Sequence, residues 1–104
     1  MELVLKEKAK HALQDLDLAS NEGIRLEARF VGSCSIYVDH YLWIDSKTEA
    51  DDLYMVDSIP FLVSSESKQH LPEKLILNYN QSLGYKLSSP EETFTYNLSI
   101  KRRG

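Results

Sequence analysis

Cysteine is nearly absent: Cys34 is the one thiol in 104 residues. A single thiol closes no internal disulfide and cannot alone supply the three or four donors of a thiolate metal site. Glycine is also scarce, with four residues scattered at positions 23, 32, 84 and 104, so no glycine-rich loop is available to cradle phosphate. Basic charge is not in excess either. Sixteen acidic against twelve basic residues give a net charge of −4, which argues against a domain that works by neutralising a nucleic-acid backbone. No apolar run approaches the ~18 residues needed to cross a bilayer, and the N-terminus carries no signal-peptide core. These absences predict a cytoplasmic protein with neither membrane nor nucleic acid as a partner. His-x-x-His, Cys-x-x-Cys and His-Glu-x-x-His spacings are all missing, and no residue order pairs a nucleophile with a base, so the expectation is that the chain is not an enzyme.

What remains is an average globular composition, 42% apolar and 27% charged in 12.0 kDa. That is one domain's worth of chain, residues 1–104, able to bury roughly two-thirds of its unfolded surface. A short apolar run, Glu2 to Leu5, comes first. Between Lys6 and Ala19 the apolar residues Ala9, Ala12, Leu13, Leu16 and Ala19 fall on one stripe of a helix, with a stop at Ser20 to Gly23. From Ile24 the period becomes two. Ile24, Leu26, Ala28 and Phe30 form an apolar face opposite the charged Arg25, Glu27 and Arg29. Small residues, Val31 to Ser35, interrupt the pattern, and alternation returns over Ile36 to Asp45. Leu53–Val56 and Ile59–Val63 flank Asp57-Ser58 as a hairpin with a two-residue turn, and Pro60 belongs near a strand start or an edge. Ser64 to Leu71 predicts a short helix capped by Ser64 or Ser65 and stopped by Pro72. Strands follow at Leu75–Tyr79, at Gly84–Leu87 and over Phe94 to Ile100. The fold class is α+β: mostly antiparallel short strands, one amphipathic N-terminal helix and a second short helix.

Cys34 heads the candidate site residues. Its thiolate is soft enough to favour iron–sulfur or copper(I) chemistry, whereas an isolated cysteine commonly just fills a small space. The histidines add no second ligand. His11 reads as solvated, His40 as a hydrogen-bonded core histidine, and His70 as a helix-terminal cation. Tyr37, Tyr41 and Trp43 share one face of their strand while the opposite face is already aliphatic. That aromatic face marks a candidate partner or self-association surface. The acidic stretch Glu49 to Asp52 lacks calcium-loop spacing and reads as a solvated connection. Lys101-Arg102-Arg103 reads as a solubilising tail.

The order of these segments resembles the HesB/IscA-type iron–sulfur biogenesis domain, the A-type carrier family. Leu3 to Ala9 is similar to its opening strand and Thr-Glu-Lys-Ala helix start. Val31-Gly32-Ser33-Cys34-Ser35 is similar to its Gly-Gly-Cys-Ser-Gly motif, which aligns Cys34 with the first cluster cysteine. Val56 to Val63 resembles its Val-Asp-Gly hairpin, and Leu77-Asn78-Tyr79, Gly84-Tyr85-Lys86-Leu87 and Ser89-Pro90 resemble its later segments. The family's C-terminal Cys-Gly-Cys falls at about Tyr96 and Leu98, where this chain has an apolar row instead. The resemblance therefore implies the fold, and a non-enzymatic role near iron–sulfur cluster biogenesis in which Cys34 is the only inheritable ligand for iron or a cluster. Any such binding would be weak and would sit at the interface of a homodimer. Assembly proteins or apo-targets are the partners the resemblance implies. The alternative is an interaction or regulatory domain that kept the scaffold and lost the metal, working through Tyr37, Tyr41 and Trp43.

Overall fold

A computed structural model describes residues 1–31 and 37–103, Tyr37 by its backbone alone. The elements in chain order are β1 (Glu2–Leu5), α1 (Glu7–Gln14), β2 (Glu22–Val31), β3 (Tyr37–Ser46), β4 (Asp51–Val56) and β5 (Ile59–Ser64). Then come α2 (Ser65–Lys68), β6 (Lys74–Asn80), β7 (Gly84–Ser88), β8 (Thr93–Leu98) and β9 (Ile100–Arg102). The strands make two mixed sheets, one ordered β1-β6-β7-β8 and the other β4-β5-β2-β3-β9. The expected α+β fold is the one observed, with an N-terminal helix, a second short helix and four of the seven described strand pairings antiparallel.

The core draws on both sheets and on α1. Ile24, Leu26, Leu42, Ile44, Phe61 and Val63 from one sheet pack with Leu75, Leu77, Tyr85 and Leu87 from the other, and Ala9 and Leu13 add the buried stripe of α1. Burying side chains of this size stabilises by about 1.5–3 kcal/mol each, so these periodic positions drive the collapse. The hairpin turn also follows expectation. Asp57 and Ser58 both take positive φ, 51° and 67°, the geometry of a type I′ connection whose twist matches its flanking strands. Pro60 lies near the start of β5, before the parallel ladder with β2 begins at Phe61. Because serine is strained at positive φ, Ser58→Gly is expected to raise unfolding stability by roughly 0.5–1 kcal/mol. A chemical denaturation midpoint checks it.

Four expectations need correction. The helix stops at Gln14 rather than near Ala19, because residues beyond it are held by partners outside the helix. Arg102 donates to the Asp17 carbonyl at 3.0 Å, and the Ala19 amide donates to Glu22. Phe30 is 55% exposed rather than buried. β2 extends past the short reach of β5, and the Phe30 ring meets His70 edge-on, at 4.4 Å between centroids. The last strand is two strands, split at Ser99, with β8 in one sheet and β9 in the other. The basic terminus is accordingly not a free tail: β9 pairs parallel with β3 over Leu42–Ile44, and its arginines find carboxylates on β2.

The short helix α2 begins as its sequence predicts, at the Ser64 cap, and ends at Lys68, short of the expected Leu71. Ser64 caps it by accepting from the Ser67 amide at 3.1 Å. Ser67 is itself buried and accepts from the Ala28 amide at 3.2 Å. That bond satisfies a β2 donor at a point where β5 no longer pairs with it.

Candidate functional site

Three places concern function: the end of the β2–β3 hairpin, the outer face of its sheet, and the C-terminal strand β8. Cys34 and the motif around it, residues 32–36, lie outside the described residues. The hairpin that carries them closes at the pair Val31–Tyr37. Near that end His40 is half-buried and stacks on Phe94 at 5.0 Å. Burial holds the His40 imidazole below its ordinary pKa, and the carboxylates of Asp39 and Glu92 only partly oppose this. His40, expected as a hydrogen-bonded core histidine, is a half-buried ring against Phe94, outside the buried core cluster. His70 lies against Phe30, and His11 is exposed beside Glu7 at 3.4 Å. Among the described residues no three histidine, aspartate or glutamate side chains gather as a metal site would require.

The outer face carries an ion network that the alternation pattern did not predict. Arg25, read as part of an exposed charged face, is 7% exposed, and Asp51, read as part of a solvated loop, is 6% exposed. The Arg25 guanidinium donates Nη1 to Asp51 Oδ1 at 2.5 Å, Nη2 to Asp51 Oδ2 at 2.7 Å and Nε to Asp45 at 2.7 Å. Nη2 also reaches the Ser46 carbonyl at 3.0 Å, and Thr48 donates its amide to Asp51 at 2.8 Å. Hydrogen bonds from Arg25 hold the Asp51 carboxyl down at about 2. With both ions fully satisfied, this cluster is a clasp between β2 and the start of β4 rather than a reactive centre.

Beside the clasp runs the predicted aromatic row. Tyr41 and Trp43 are half-buried, their rings 6.1 Å apart and nearly parallel. Arg29 sits over the Tyr41 ring at 5.4 Å and Arg103 over the Trp43 ring at 4.5 Å. Trp43 Nε1 donates to Glu27 at 2.9 Å, and Arg103 donates to the same carboxylate at 3.0 Å. The face is therefore a layered strip of cation and aromatic ring, closed at one side by Arg103.

Strand β8 decides what the C-terminal segment can offer a metal. It runs from Thr93 to Leu98 without a cysteine, histidine or acid, and pairs antiparallel with β7, placing Leu98 opposite Tyr85. Leu98 packs against the core, while Tyr96 is 60% exposed. The loop before it is tied by Ser89, whose amide donates to the Glu92 carbonyl at 2.8 Å. The positions where the resemblance puts two further cluster cysteines thus belong to a paired strand with no soft donor.

The family profile described as iron-sulphur cluster biosynthesis matches residues 1–102. The chain belongs to that family. The HesB/IscA-like resemblance of the segment order is thereby established over nearly the whole sequence. Two solved structures share the fold. A protein assigned to Fe-S biosynthesis from Lactobacillus acidophilus superposes with a TM-score of 0.70 at 15% identity, covering 98% of this chain and 90% of its own. Another so assigned, from Lactobacillus salivarius, gives 0.70 at 19% identity with 98% of both chains covered. No curated protein matches the chain. No helix among the described residues of this family member is long and apolar enough to cross a membrane.

Proposed function

We propose that residues 1–104 form one non-enzymatic HesB/IscA-like domain that serves iron–sulfur cluster assembly in the cytoplasm, with weak or no cluster binding of its own. The observation carrying this reading is the donor count. The sequence holds one sulfur nucleophile, Cys34, and positions 96 and 98 are tyrosine and leucine in a paired strand. Iron–sulfur clusters are held by several thiolates, and this chain does not fit such a cargo alone. A homodimer would bring two Cys34 thiols together and leave the remaining positions to an outside thiol, an assembly protein or an apo-target.

A second reading, a protein-interaction domain using Tyr37, Tyr41 and Trp43, is favoured by the partly exposed rings of Tyr41 and Trp43. Anaerobic reconstitution with ferrous iron and sulfide distinguishes the two. Cluster handling predicts a charge-transfer absorption well below one centre per chain that vanishes in Cys34→Ala. The interaction reading predicts an empty spectrum together with loss of self-association in Trp43→Ala, followed by sedimentation. A stable, stoichiometric iron–sulfide centre formed without added thiol would overturn the donor-count argument.

A further inference from the structure

At the N-terminal end of α1, where the chain leaves β1, a cleft opens beside β6, β7 and β8. Lys6 and Lys8 bound it on the helix side, and Lys86, opposite Asn78 in the β6–β7 ladder, bounds it on the sheet side. None of these three exposed lysines makes an ion pair with any described residue, whereas all four arginines do. Glu7 also borders the cleft, where three lysines still outnumber this one carboxylate. Leu83 and Tyr96, two of the five exposed large apolar side chains among the described residues, line the same cleft at 56% and 60% exposure. Unpaired positive charge around exposed apolar side chains, in a chain of net charge −4, is complementary to one kind of surface. That surface is an acidic segment carrying an apolar anchor.

We propose that this cleft docks an acidic, leucine- or aromatic-bearing segment of a partner protein. Lys6, Lys8 and Lys86 supply attraction and orientation, while Leu83 and Tyr96 receive the apolar anchor. The cleft is held in shape by the local backbone: Asn80 Oδ1 accepts from the amides of Ser82 and Leu83 at 2.8 and 3.1 Å, which fixes the turn that presents Leu83. The Lys6 amide donates to the Leu77 carbonyl at 2.9 Å, fixing the start of α1 against β6. A preformed site of this kind loses less entropy on binding than a mobile one. The inference does not depend on cluster binding, because none of the residues it uses is a candidate cluster ligand.

The test is fluorescence anisotropy with a labelled peptide of alternating glutamate and leucine, and a lysine–leucine peptide as its opposite-charge control. Lys6→Glu/Lys8→Glu/Lys86→Glu should weaken the acidic peptide at least tenfold. Leu83→Ser should weaken it several-fold with little change in its salt dependence. All four positions are exposed, so thermal melts are expected to match the wild type, and amide shift perturbations of the wild type should cluster at residues 6–8, 78–86 and 96. Equal affinity of wild type and triple variant overturns the proposal, as does equal binding of the lysine–leucine peptide. So would a single-stranded oligonucleotide that binds the cleft more tightly than the acidic peptide.

Discussion

Asp51→Ala is expected to remove about 3–5 kcal/mol of folding stability, read from urea denaturation at neutral pH, because it strands a buried cation. The Asp51 side chain is 1% exposed and that of Arg25 9%. Removing the carboxylate leaves Nη1, formerly bonded at 2.5 Å, without its partner and Nη2 with the Ser46 carbonyl alone, in a site that water barely reaches. Asp45 would still hold Nε, which sets the loss below complete disruption. The pair as a whole is worth much less than either half. Arg25→Met combined with Asp51→Leu should recover most of the loss, since two apolar side chains desolvate no charge. The same clasp sets the acid limb of stability. The Asp51 carboxyl is depressed from 3.8 to about 2, so the unfolded chain takes up a proton before the native one does. Its contribution, about 2 kcal/mol, is complete above pH 4–5 and disappears as the pH falls toward 2. Asp51→Asn should flatten that limb of the stability curve. An unchanged limb would mean that other carboxylates control acid unfolding.

Whether a feature was legible in the sequence depended on the distance over which its cause acts. The periodic strands, the Asp57-Ser58 turn and the Ser64 cap are set by neighbours in the chain, and each lies where the local pattern puts it. Arg25 was unreadable because its partner is 26 residues away, and a charged residue on an alternating strand ordinarily faces water. The terminal arginines misled for the same reason. Arg102 reaches back 80 residues to pair with Glu22, and Arg103 reaches 76 to Glu27. A basic cluster in isolation is a solvated tail; beside a strand edge lined with acids it becomes a strand. The split at Ser99 was hidden because Phe94, Tyr96, Leu98 and Ile100 keep an even period across the boundary while the chain passes from one sheet to the other. On the candidate site, the sequence was informative about donor number and the family, both carried by residue identity. The cation–aromatic layering over Tyr41 and Trp43 needs the approach of β9, which no local pattern encodes.

Gly84→Val tests the strand that separates this chain from a cysteine-bearing C-terminal tail. Gly84 takes φ +105°, and a Cβ built there would lie 2.6 Å from the Leu98 carbonyl oxygen. Both effects oppose a β-branched residue. The backbone region is one that L side chains rarely adopt, and the obstructing atom is main chain, so no side-chain rotation relieves the contact. The variant must either move β7 away from β8 or rotate out of the left-handed region, breaking the ladder at Tyr85–Leu98. Strain and overpacking together are expected to lower stability by about 2–4 kcal/mol. The local signature separates this from a general loss. Amide exchange should accelerate most across Thr93–Leu98, while protection in β2 and β5, whose side chains build the opposite sheet's part of the core, falls only with global stability. Uniform loss of protection would place β8 inside the same cooperative unit as the core. Preferential release would instead show that one close backbone approach at Gly84 keeps Tyr96 and Leu98 within the sheet.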